Sequence, residues 1–266
     1  MVMYFILGGV IMELKNEERF TNKADLYKKF RPTYPKELID YLYSQVGFSQ
    51  ESIITDIGSG TGIFSRLLLE RGSFVYCVEP NEDMRQTAEK DLLAFKNFES
   101  VNAPAENTGL QDKSVDFVTA AQSAHWFDRE TFKSECRRIL KPGGKVAFVW
   151  NIRDFDSEII KKEYDVREKY FVDRKGLGDR SGHTKNYMLD FFLDEIREEK
   201  TFNNDLQLEK ERFIGMNLSS SSAPKEEQHP KKYHGFVCEL GGLFDEYSRN
   251  GILNYPHFTQ SEVGRV

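Results

Sequence analysis

The sequence predicts a doubly wound α/β fold, with a mostly parallel sheet and helices on both faces. Three observations carry this. Between residues 52 and 150, short β-branched and aromatic runs alternate with helical segments, the pattern of β-α units around parallel strands. A glycine-rich loop, Asp56-Ile57-Gly58-Ser59-Gly60-Thr61-Gly62, follows the first of these runs at once and opens a helix. An acid, Glu79, closes the second run.

The elements follow in order. Met1 to Met12 is a short apolar run. It is too short for a bilayer, which takes roughly 20 apolar residues, and it lacks the basic start of a secretory signal. Residues 1–19 are expected as an N-terminal extension without regular structure. Phe20 to Val46 is amphipathic and helical, broken by Pro32 and Pro35; Pro35 suits a helix's first turn, where its missing N–H costs nothing. Ser52 to Ile57 is the first strand of the alternation. Helix 64–71, strand 74–78 and helix 81–95 come next, with Asn81 as N-cap. Strands are expected at 98–101 and 115–121. A helix over 128–140 stops at Lys141-Pro142-Gly143-Gly144, before a strand at 145–150.

The second half is less regular. Helices are expected at 158–172, 188–196 and 231–249, strands at 199–208 and 251–258, and loops at 174–183 and 219–224. There are no internal repeats.

Composition narrows the function. The 266 residues are 39% hydrophobic and 13% aromatic, enough for one sizeable core. A formal charge of −6 argues against nucleic acid as a partner. The three cysteines are far apart, with no C-x-x-C, and the histidines have no metal-ligand spacing. Neither a disulfide framework nor a metal site is expected, and the cytoplasm is the expected compartment.

Glycines in the 58–62 loop let a ligand approach the main chain where a Cβ would clash, and the helix start adds free N–H groups. A nucleotide-triphosphate loop of the form G-x-x-x-x-G-K-[ST] is absent. The dinucleotide fingerprint G-x-G-x-x-G would put its third glycine at Ile63. The spacing here is instead G-x-G-x-G after an acid, which suits an amino-acid-bearing nucleoside. Glu79 can accept hydrogen bonds from ribose hydroxyls, or it can serve as a charge at the start of the next helix.

The stretches Asp56 to Gly62, Glu79 to Met84, Ala105-Glu106 and Arg138 to Gly144 together resemble the class I S-adenosylmethionine-dependent methyltransferases. Tyr27 to Pro35 and Ala124 to Asp128 resemble the small-molecule branch that contains the trans-aconitate methyltransferases. The likeness implies a Rossmann-like sheet of seven strands in one domain over 20–266. It places the core at 48–152 and a helical lid in 20–47 and parts of 153–230.

The resemblance also implies roles for residues. Gly58, Ser59, Gly60 and Gly62 would line the methionine and ribose of S-adenosylmethionine, with Asp56 supporting the loop. Glu79 would hold the ribose, beside Pro80. Met84 would pack on the adenine, or belong to the core. Ala105 and Glu106 would edge the adenine, and Gln122 and Ser123 would face the methionine portion. On the substrate side stand Tyr27, Arg31, His125 and Trp126. Arg31 can bind a carboxylate with two parallel hydrogen bonds, and His125 is a general base or a turn-capping histidine.

The expected activity is methyl transfer to a small molecule by a monomer or homodimer, with O-methylation of a carboxylic acid the leading case. No catalytic residue is assigned. An NAD(P)-dependent oxidoreductase and a non-catalytic nucleoside-binding interaction module are the rival readings.

Overall fold

The structure, a computed structural model, describes residues 28–173, 190–192 and 197–266, with the backbone of two strands near the N-terminus. Those strands, β1 (Met3–Leu7) and β2 (Val10–Leu14), pair as an antiparallel hairpin inside the stretch read above as an extension.

The expected alternation is present. Strands β3 (Ile53–Ile57), β4 (Phe74–Val78), β5 (Phe98–Val101), β6 (Val115–Ala121) and β7 (Leu140–Arg153) form the parallel part of a seven-stranded sheet. Strand β8 (Glu198–Asn203) and the last strand, β11 (His257–Gly264), complete it in the order β5-β4-β3-β6-β7-β11-β8. Strand β11 runs antiparallel to both of its neighbours. Strands β9 (Leu206–Leu208) and β10 (Leu253–Tyr255) form a separate small ribbon.

The helices are amphipathic and cover the sheet. Helix α1 (Lys36–Tyr41) continues as a π-helical turn to Val46 and ends at Gly47. Helix α2 (Ile63–Glu70) buries Phe64, Ser65, Leu68 and Leu69. Helix α3 (Glu82–Leu92) buries Met84, Ala88 and Leu92, one turn apart, and Asn81 caps it by accepting the Met84 N–H at 3.0 Å. Helix α4 (Arg129–Ile139) is capped in the same way by Asp128, which accepts the Thr131 N–H at 3.0 Å. One hydrophobic cluster packs α1, α2 and α3 on one face of the sheet; a second packs α4, Phe191 and Phe192 on the other. Each fully buried Leu or Phe here contributes about 1.5–3 kcal/mol.

A third cluster joins helices α5 (Glu158–Tyr170), α6 (Lys210–Leu218) and α7 (Pro230–Tyr247) to Phe30 and Tyr255. Phe30 lies against Gly215, where an added Cβ would come within 2.6 Å of its ring. The segment leading into α1 therefore docks on the helices of the second half.

Several expectations need correction. Strand β7 starts at Leu140 rather than Lys145, because Lys141–Gly144 joins the ladder through a register shift opposite Val115–Phe117. The expected strand 199–208 is two strands that break at Asn204 and Asp205. The expected last strand, 251–258, is also two, and its main part, β11, reaches Gly264. Helix α6 was not expected; its apolar residues Phe213, Ile214, Met216 and Leu218 spread around the helix rather than along one stripe, and tertiary burial of Phe213 and Met216 carries it. Pro35 is the N-cap residue of α1, one position before the first turn. The loop expected at 174–183 and most of the helix expected at 188–196 lie outside the described residues.

Candidate functional site

The strand order reverses between β3 and β6, with β4 outside one and β7 outside the other. In open α/β sheets the carboxyl ends at such a point leave a crevice for a ligand. A cavity of about 610 Å³ lies there.

The glycine loop forms one wall, and its three glycines do three different jobs. Gly58 has φ +66°, and an added Cβ would lie 2.5 Å from the Cβ of Ser123. Gly60 has φ +57°, with nothing within 4 Å of where its Cβ would be, and it lines the cavity. Gly62 has φ +77°, and its Cβ would meet Leu92 at 2.7 Å. Gly62 packs between α2 and α3 and is not among the residues that line the cavity. Open space at Gly60 is what a ligand pressed against the main chain requires.

Two buried acids fix this loop. Asp56 accepts from Ser65 Oγ at 2.5 Å and from Thr119 Oγ1 at 2.9 Å, tying the end of β3 to α2 and β6. Burial pushes its carboxyl up to about 6. Glu79 accepts the Gly60 N–H at 2.9 Å on one oxygen and the Asn81 N–H at 2.8 Å on the other. Burial raises its pKa, against those hydrogen bonds. Its carboxylate retains lone pairs that can meet ligand hydroxyls. Ser59 Oγ and Thr61 Oγ1 are buried without a hydrogen-bond partner among the described residues. Such groups are costly unless a ligand or water satisfies them.

The rest of the wall comes from the neighbouring strand ends. Pro80 and Met84 follow β4, and Ala105 and Glu106 follow β5; all four line the cavity. Met84 is only 3% exposed, so it belongs to the core and to the wall at once. Glu106 accepts the Asp128 N–H at 2.7 Å. Gln122 has φ +59°, a conformation that is rare outside glycine. Its N–H reaches the Val149 carbonyl at 2.9 Å and its side chain the Asn151 carbonyl at 3.1 Å. Ser123 Oγ donates to the Ile57 carbonyl at 2.7 Å, closing β6 onto β3.

On the opposite side the cavity is lined by Arg31, Trp126, Asn151, Arg153, Met216, Tyr255 and His257. Trp126 ends a short 3₁₀ turn, Ala124–Trp126. His125, in the same turn, is exposed and is not a lining residue; its ring packs 4.8 Å from Trp126 and 5.5 Å from Trp150. Tyr27 lies outside the described residues.

Sequence reasoning missed Asn151, Arg153, Met216, Tyr255 and His257. The first two end β7, so the carboxyl-end rule could have found them. The other three come from α6 and the last strands, and nothing local in their sequence marks them.

The residues present fit a bound nucleoside that carries an amino acid. The Gly60 face is open to it, Glu79 offers a carboxylate at the end of β4, and the unpartnered hydroxyls of Ser59 and Thr61 stand on either side of Gly60. Among the described residues no group of three His, Cys, Asp or Glu could hold a metal ion, and no helix is long and apolar enough to cross a membrane.

Residues 55–148 match the family profile described as a methyltransferase domain. An uncharacterized methyltransferase-like protein of Schizosaccharomyces pombe is 34% identical over 154 residues, 58% of this chain and 59% of that protein. An uncharacterized methyltransferase of Mycobacterium bovis is 36% identical over 137 residues, 51% of this chain and 53% of that one. The chain thus spans little more than half the length of these relatives. A solved structure from Anaeromyxobacter dehalogenans, provisionally named a type II methyltransferase, superposes with a TM-score of 0.66. It is 24% identical and is aligned over 89% of this chain and 98% of its own. That likeness shows the fold: a Rossmann-like, mostly parallel sheet of seven strands with helices on both faces.

Proposed function

We propose that this chain is an S-adenosylmethionine-dependent methyltransferase whose acceptor is a small carboxylic acid, methylated on oxygen. The observation that carries the reading is the Gly60 backbone, open toward the cavity while its N–H is held by Glu79.

Gly58, Ser59 and Gly60 would hold the methionine portion, Glu79 the ribose, and Met84, Ala105 and Glu106 the adenine. When bound, S-adenosylmethionine supplies an electrophilic methyl group on a sulfonium. The chain's own task is then to align the acceptor in line with that methyl group and to exclude water. Gln122 and Ser123 fix the strand end beside the reacting region. Arg31 and Trp126 stand on the far wall, where an acceptor would enter. A carboxylate acceptor is already ionised near neutral pH, so this reading needs no general base. The lid of the 28–47 segment and helices α5 and α6 would select the acceptor. Cys77 and Cys136 are buried free thiols, which suits a reducing compartment such as the cytoplasm.

Isothermal titration with S-adenosylmethionine, S-adenosylhomocysteine and NADH tests the assignment. Saturable one-to-one binding of the two sulfur nucleosides, without NADH binding, is expected. Binding of NADH alone would move the chain to the oxidoreductases. Absence of any binding by folded protein would overturn the enzyme reading.

A further inference from the structure

The cavity is divided by charge. Around the glycine loop its walls carry Asp56, Glu79, Glu106 and Asp128; the other end carries Arg31, Arg153 and His257, with no carboxylate among the described lining residues. Arg153 ends β7, and its hydrogen bonds and ion pairs among the described residues all run through Nε. That atom lies 2.6 Å from Tyr255 Oη and 3.3 Å from Glu163 Oε2. Tyr255 Oη in turn donates to Glu163 Oε2 at 2.5 Å.

Tyr255 and Glu163 are fully buried, whereas the Arg153 side chain is 24% exposed. The guanidinium is thus fixed from behind through one donor. The four donors on its two terminal nitrogens remain for the cavity. On the same wall His257 is 5% exposed, and its Nδ1 is buried without a hydrogen-bond partner among the described residues. Burial and the Arg153 charge push the His257 imidazole down to about 3, so it is neutral near physiological pH.

A fixed guanidinium with a free fork recognises a carboxylate through two parallel hydrogen bonds. An orphaned ring nitrogen beside it is a second polar contact that a ligand can satisfy. We infer that Arg153 is the specificity-determining residue of the acceptor half, with its terminal nitrogens receiving a carboxylate of the methyl acceptor. Glu163 and Tyr255 are the positioning residues that hold the fork, and His257 supplies the second contact. This rests on the methyltransferase reading and adds the residue that makes the acceptor an acid.

The test uses the full chain loaded with S-adenosylhomocysteine. It is titrated with a panel of small carboxylates (acetate, butyrate, benzoate, succinate, citrate) and with their primary amides. At least one carboxylate is expected to bind ten-fold or more tightly than its amide. Arg153→Gln should erase that preference while leaving S-adenosylhomocysteine affinity unchanged, and Arg153→Lys should restore only part of it. Tyr255→Phe should reduce the preference by a smaller factor. Arg153→Gln takes one cation from the buried Glu163, which keeps the Tyr255 hydroxyl at 2.5 Å and Arg167 at 3.9 Å, so the Arg153→Gln/Glu163→Gln double variant is measured alongside it as the folding control. Equal binding of acids and amides by the loaded wild-type protein, or no carboxylate binding at all, overturns the inference. A preference that survives in either folded variant does the same. Failure to bind S-adenosylhomocysteine is a different outcome: it removes the methyltransferase reading and the acceptor site with it.

Discussion

Gly58 and Ser123 touch across the point where the strand order reverses. The Cα of Gly58 is so close to Ser123 that an added Cβ would stand 2.5 Å from the serine Cβ. Ser123 Oγ meanwhile donates to the Ile57 carbonyl at 2.7 Å. This contact brings the ends of β3 and β6 together and sets the floor of the cavity.

Gly58→Ala should therefore cost both stability and ligand affinity. The left-handed backbone adds about 1–2 kcal/mol, and the overlap with Ser123 adds about 1–3 kcal/mol. Gly60→Ala meets no atom of the protein and should cost only the backbone strain, yet it should weaken S-adenosylhomocysteine binding at least ten-fold. Urea denaturation and titration calorimetry on the two variants check this. Equal affinity losses in proportion to stability would show that Gly60 faces no ligand.

Glu79→Gln should lower affinity for S-adenosylhomocysteine by ten-fold or more, and stability by about 1–3 kcal/mol. The amide can accept only one of the two N–H bonds that Glu79 now takes from Gly60 and Asn81. Unchanged affinity in the folded variant would remove the ribose assignment.

Asp56 links stability to pH with an unusual sign. Burial raises its carboxyl to about 6, above its ordinary value near 4. Its protonated form is favoured by the fold, so that contribution is complete below about pH 4 and lost as pH rises through about 6. Asp56→Asn removes the titration. The variant's stability relative to wild type should improve by about 2–3 kcal/mol between pH 4 and pH 7. Parallel urea curves for the two proteins across that range would show Asp56 to be ionised throughout.

Glu135 shows the opposite sign. It accepts from Thr108 N at 2.8 Å and Thr108 Oγ1 at 2.5 Å, and it pairs with Arg138 at 2.7 Å. Burial raises its pKa, but Arg138 and Thr108 outweigh burial and hold the carboxyl below its ordinary value. Its stabilisation is present above the ordinary glutamate value near 4 and fades as pH falls through the lowered one. Glu135→Gln should cost about 1–3 kcal/mol at pH 7 and less at pH 3, as read by urea denaturation.

The first half of the chain was legible because its signals are local. A β-branched run, a helix cap or a glycine forced to positive φ constrains only its neighbours. Strand 74–78, the Asn81 cap and the Gly58–Gly60 loop could be read without knowing the rest of the chain. Fold class and the turn of the glycine loop were read in this way.

Tertiary structure alone decided the far wall. Strand β11 enters between β7 and β8 by antiparallel pairing with segments far away in sequence, Arg153 opposite His257 and Asn203 opposite Phe258, and no pattern within 257–264 announces its partners. Arg153 ends a strand that reads as ordinary sheet, and its meaning comes from Glu163 on α5 and Tyr255 on β10 behind it. A buried carboxylate turns a surface-type arginine into a fixed one, and that pairing exists only after the helices close over the sheet. Sequence thus set the glycine-loop end of the cavity, where backbone geometry does the work. Packing set the far wall, where side chains from distant segments meet.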